Sequence, residues 1–221
     1  NRPRPAETQA PRGEYHAGKR GEEMDTTQFA TAYALSTSVG LRPFLTLALA
    51  ALAIHFGFLH PALRFDFLGS DGAAIVLAIL AVLEFGADKV PVLDHAMHVV
   101  HFATKPIAAA ILVGSLVPDG TTPDLTTTGL MALGALNAVG VHGGVAALRG
   151  ASTATTGGLA NPIVSLFEDA LAVGGVILAF VAPLAGAALA ASLTIAAILL
   201  IRSILRTLRS SARSRVATPL G

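Results

Sequence analysis

Four carboxylates stand where an apolar chain has least use for them. Glu84 and Asp88 lie four residues apart in AAIVLAILAVLEFGADKVP, and Glu168 and Asp169 are adjacent in NPIVSLFEDALAVGGVILAFVAPLAG. Both segments are apolar enough to sit in hydrocarbon, where an ionisable group needs a partner or a purpose. Three chemistries suit such a placement. The acids can pair with bases to fix helix packing, carry protons or cations along a pathway, or bind a metal.

Bases and polar groups accompany them. Arg42, Lys89 and Arg149 fall near the same predicted ends of their helices, with His142 two turns inside Arg149. Asn161 and Ser165 precede the second acidic pair. The i, i+4 spacing of Glu84 and Asp88 puts both on one helical face. Together Arg42, Glu84, Asp88, Lys89, His142, Arg149, Asn161, Ser165, Glu168 and Asp169 form a candidate polar layer. The layer serves either as an ion-pair network or as a pathway with Glu84 or Glu168 as the coupling acid.

A second stripe runs through Asp94, His98, His101 and Lys105, spaced i, i+4, i+7 and i+11 on one arc of a helix. Asp94, His98 and His101 are candidate ligands for a divalent cation. The chain has no HExxH motif or other recognised metal spacing. It also has no GxSxG, Walker A or GxGxxG sequence. No cofactor is expected, and an enzyme is the less favoured reading. With no cysteine there is no disulfide and no thiolate site.

The elements that must position these residues are apolar helices. Of 221 residues, 53% are hydrophobic and 13% charged, with mean hydropathy +0.66. Soluble domains carry about a quarter charged residues. A spanning helix needs about 20 apolar residues, and six segments qualify: Phe29–Phe58, Gly72–Val90, His98–Val117, Thr126–Leu148, Pro162–Leu184 and Gly186–Leu205. The third is the weakest, because residues 92–105 also read as an interfacial helix. The short APLAG break predicts a tight hairpin between the last two. The expected fold is an all-α, polytopic transmembrane bundle of about six spans. A three-plus-three inverted repeat is one arrangement, suggested by ALSTSVG at 34–40 and ALNAVG at 135–140.

Six spans put both termini on one side. That side collects Arg42, Lys89, Lys105, Arg149 and the C-terminal arginines, while the other keeps Arg64. The bias of basic residues makes the first side cytoplasmic. Residues 1–26 read as a polar, flexible leader with Met24 as the natural start, 27–205 as the membrane domain and 206–221 as a basic tail. Arg202, Arg206, Arg209 and Arg213 share a helical stripe that suits lipid phosphates. The expected partners are the bilayer and a second copy or a larger membrane complex. Nucleic acid is not expected, because the basic residues are explained as membrane flanks.

Four stretches carry a resemblance: GLRPFL at 40–45, LEFGADKVPVLDH at 83–95, VHGGVAALRGAST at 141–153 and NPIVSLFEDALAV at 161–173. From about Ala34 to Leu184 the chain resembles the bacterial integral-membrane family of domain of unknown function 4126. On that resemblance Glu84, Asp88, Lys89, Pro91, Asp94, Asn161, Pro162, Ser165, Glu168 and Asp169 are motif positions. It implies a multi-span protein of the bacterial inner membrane and supplies no substrate. The readings left open are a small proton- or cation-coupled transporter or channel, and an accessory subunit of a membrane complex. A third is an enzyme acting on lipid headgroups.

Overall fold

The computed structural model describes residues 24–87, 91–118 and 125–216, with backbone alone for 91–96, 98–99, 208 and 211–216. The described chain is all-helical. Its helices are α1 (Thr26–Leu41), α2 (Pro43–His55), α3 (Asp71–Ala87), α4 (Pro91–Ser115), α5 (Leu125–Thr156), α6 (Asn161–Val181) and α7 (Pro183–Val216), with a 3-10 segment at Leu63–Gly69 before α3. Three helices are long and apolar enough to cross a membrane: α5, α6 and α7 through Thr207. The 3-10 segment and α3, bent by 62°, make a fourth when taken together. In α4 the apolar part is Val100–Ser115.

The first expected span is two helices. Pro43 disfavours the helical conformation at the residue before it, and Arg42 is extended at φ −135° and ψ 95°. The chain then folds back. Asp25, Thr27 and Thr31 at the start of α1 line one depression with Phe58, Leu59 and His60, which follow α2. A single rod through both helices would hold these ends about 45 Å apart at 1.5 Å per residue. Segment 29–58 is therefore a helical hairpin with Arg42 at its tip. The apolar signal on both sides of Arg42 is real, but it comes from two short legs.

That hairpin also sets where the ends of the bundle lie. The α6–α7 turn at Ala182 brings Pro183 beside Asp25 in the same depression. From there α7 runs its full length away, so Thr26 and Arg202 lie at opposite ends of the bundle. The inverted repeat fails for a related reason. Ser36 and Thr37 meet Asn137, and Gly40 meets Val141. The two similar stretches thus run parallel, where an inverted repeat would oppose them.

Leg α1 forms the centre. It packs against α4, α5, α6 and α7 and is buried on all faces from Ala34 to Leu41, as expected for a helix with no solvent or lipid stripe. Asp25 caps its start through a reciprocal pair of bonds with Gln28. Small residues permit the approach of its neighbours. A Cβ on Gly40 would sit 2.7 Å from Val141 Cβ, and one on Gly144 would collide with Ala197 of α7. Gly144 thus serves packing, as the GxxxG spacing suggests. Helix α3 is peripheral, with Ile75, Val76, Ile79 and Val82 exposed. Among its few buried side chains is Glu84.

Candidate functional site

The hairpin tip sits in a layer of ionisable groups. Arg42 is 2% exposed. Its Nε lies 2.7 Å from Asp169 Oδ1 and 4.0 Å from Glu168 Oε2. One guanidinium nitrogen, Nη2, donates to Ser165 Oγ at 2.7 Å and to the Ser165 carbonyl at 3.3 Å. From α5, Arg149 donates to both oxygens of Glu168, Nε and Nη2 each at 2.9 Å. That parallel two-point geometry is the strong form of the carboxylate–guanidinium pair. Glu168 is thus fixed between two arginines.

The other half of the layer holds the broken backbone. Pro43 at the start of α2 has no N–H, so the first free donors are on Phe44 and Leu45. Both donate to Glu84 Oε2, at 3.1 and 3.0 Å. The opposite end of the break is the carbonyl of Gly40, which accepts from Lys105 Nζ at 2.9 Å. A carboxylate at a helix N-terminus and an ammonium at a C-terminus both complement the helix dipoles. Glu84 Oε1 also lies 3.0 Å from His101 Nε2. Lys105 Nζ is 2.8 Å from His142 Nδ1. His101 and Lys105, one turn apart on α4, reach the two sides of the same break.

Most of the sequence-derived layer is therefore brought together: Arg42, Glu84, His142, Arg149, Ser165, Glu168 and Asp169. Helices α3 and α6 do not touch; the hairpin tip stands between their acids. Asn161 lies elsewhere, donating to Thr153 Oγ1 at 3.1 Å. It opens α6, directly after the N-cap Ala160. Asp88 and Lys89, and the side chains of Asp94, His98 and Arg213, lie outside the described residues. His101, the one described member of the expected metal triad, faces Glu84. No group of three metal-ligating side chains occurs among the described residues. Arg202, Arg206 and Arg209 are exposed along α7.

Two features escaped the sequence reading. Lys105 was assigned to the histidine stripe, yet it belongs to the tip; its i, i+4 relation to His101 was the available signal. Asn137 forms a second polar node, donating to Ser36 Oγ and Thr37 Oγ1 and accepting from Thr194 Oγ1. An asparagine inside an apolar helix was the sign of it.

Beside the layer, α5, α6 and α7 enclose an apolar groove of about 240 Å³, lined by Val141, Leu148, Phe167, Leu171 and Leu193 and reaching Glu168. At the far end, the depression between the hairpin legs and the α6–α7 turn has a volume of about 230 Å³.

These features define an all-helical bundle of membrane type, built round a helical hairpin. The chain belongs to the family described as domain of unknown function (DUF4126), whose sequence profile matches residues 29–203. No curated protein and no solved structure matches it.

Proposed function

We propose that this protein is a small transporter or channel-like protein of the bacterial inner membrane, with the α1–α2 hairpin as its gate. The observation that carries this reading is the chain break at Arg42, deep in the bundle and held at both ends by ionisable side chains. Non-helical backbone at membrane depth occurs where protein buries it or where it lines a cavity. Transporters use broken helices with free N–H and C=O groups to bind their cargo and coupling ions. Here Glu84 and Lys105 occupy those groups from within the chain, so moving either side chain would free them. The clustering of Arg149 and the α7 arginines at the tip end supports a cytoplasmic placement of that end.

The bidentate Arg149–Glu168 pair, joined to Arg42 and Asp169, favours a second reading. A densely paired layer suits a structural role in an accessory subunit of a larger complex. Proton flux into proteoliposomes under an imposed potential, read by a trapped pH-sensitive dye, separates the two. The gate reading expects flux in the wild type and its loss in folded Glu84→Gln protein. Flux unchanged by Glu84→Gln overturns it. Absence of wild-type flux, together with a partner that co-purifies in mild detergent, supports the accessory role.

A further inference from the structure

We propose that the outward face of α7 binds an anionic phospholipid, with an acyl chain along Ile195 and Leu199 and the phosphate at Arg202 and Arg206. The site stands apart from the hairpin tip and does not depend on the gate.

Two contacts fix how α7 is rotated. Thr194 Oγ1 donates to Asn137 Oδ1 of α5 at 3.1 Å, and Ala197 packs against Gly144 of the same helix. These residues define the inward side of α7. The opposite side carries Ile195, Leu199, Arg202 and Arg206, spaced i, i+4, i+7 and i+11 on one stripe. Ile195 and Leu199 are 57% and 60% exposed, and both arginines are exposed as well. One line along the helix is thus apolar first and cationic after.

The place of that change matches a membrane. Helix α7 starts at Pro183, in the depression at the far end of the bundle. Arg202 lies about 28 Å along the axis from Pro183 at 1.5 Å per residue. The hydrocarbon core of a bilayer is about 30 Å thick. The step from Leu199 to Arg202 therefore falls where acyl chains give way to phosphates. Arg206 stands one turn further out.

The described residues leave these charges unanswered. At the same end of the bundle Arg42 and Arg149 turn inward and are matched by Asp169 and Glu168. The guanidinium groups of Arg202 and Arg206 pair with no described residue. No Asp or Glu follows Asp169 in the sequence, so α7 has no carboxylate of its own to set one turn away. A guanidinium fits phosphate oxygens through two parallel N–H donations. A lipid phosphate supplies that acceptor at this height, and the chain below it covers Leu199 and Ile195. A headgroup with net negative charge is favoured over a zwitterionic one, whose own cation opposes the arginines. An acidic protein at the membrane surface would meet the arginines and leave Ile195 and Leu199 uncovered.

The chain contains no tryptophan, so a single introduced one reports on its lipid neighbours. Full-length Leu199→Trp protein is reconstituted in phosphatidylcholine vesicles with rising fractions of phosphatidylglycerol brominated in its acyl chains. Brominated phosphatidylcholine forms the companion series, and bromine quenches the indole on contact. The anionic lipid is expected to bind here at least threefold more strongly than phosphatidylcholine, with the preference falling in high salt. At Ile79→Trp, on the exposed face of α3, the ratio is expected to be near one. Adding Arg202→Gln and Arg206→Gln to Leu199→Trp should bring its ratio near one. Adding Arg202→Lys and Arg206→Lys instead keeps the charge and should keep most of the preference. A ratio near one at Leu199→Trp overturns the proposal and leaves the arginines to an acidic protein. A preference that survives the two glutamine exchanges, or that is equal at Ile79→Trp, overturns it as well. No gradient is imposed, so these outcomes are independent of the flux that tests the gate.

Discussion

Lys105 and Glu84 grip opposite sides of one chain break. Lys105 holds the Gly40 carbonyl at the end of α1, and Glu84 holds the Phe44 and Leu45 amides at the start of α2. Neither side chain caps its own helix. Each reaches in from a neighbour, so the turn at Arg42 owes its shape to α3 and α4.

Lys105→Met keeps most of the stem and removes the donor. It should destabilise the bundle by about 1–3 kcal/mol, the cost of leaving a buried acceptor unsatisfied. Lys105→Gln keeps a donor amide and should lose less. Denaturant unfolding in detergent, followed by circular dichroism, checks the order of the two. Equal losses would mean that the Gly40 contact contributes nothing.

Arg149 and Glu168 should behave as one unit. Arg149→Met or Glu168→Gln alone leaves a buried charge without its main partner, at a cost of about 3–5 kcal/mol. The double variant should cost clearly less than the sum of the singles, as coupled pairs do. Additive losses in the same unfolding assay would contradict the bidentate geometry.

The hairpin predicts a labelling pattern. The chain lacks cysteine, so Thr27→Cys and Ser203→Cys would each carry the sole thiol, and both positions are exposed. A membrane-impermeant maleimide applied to sealed vesicles of one orientation should label only one of the two variants. Labelling of both from the same face would restore a first helix that crosses.

Gly144 and Gly140 form one GxxxG pair but should respond differently. Nothing lies near a Cβ placed on Gly140, whereas one on Gly144 would strike Ala197. Gly144→Val should cost about 1–3 kcal/mol through overpacking and Gly140→Val much less. Thermal unfolding in detergent ranks them.

Much of the layer was legible because charge in an apolar run is conspicuous. Arg42, Glu84, Arg149, Glu168 and Asp169 were found by that contrast alone, and helix ends were placed well where Pro, Gly and Asn interrupt the pattern. The hairpin was not legible. Hydropathy averages over about 20 residues and cannot distinguish one long helix from two short antiparallel ones, since both legs are equally apolar. The Arg42-Pro43 pair did mark a local break. Whether the chain bends or reverses there depends on what receives the tip, and that is decided by Ser165 and Asp169, far along the chain.

The distance along the chain between Arg42 and its partners also sets an order of events. Arg42 and Ser165 are 123 residues apart. At 5–20 residues per second, a ribosome makes that stretch in roughly 6–25 s. During that interval the hairpin leaves the ribosome before Ser165 and Asp169 exist to receive its guanidinium. The hairpin, made well before α6, is thus among the last segments to find its place. Nascent chains truncated before α6 should hold it at the protein-conducting channel or at the membrane surface.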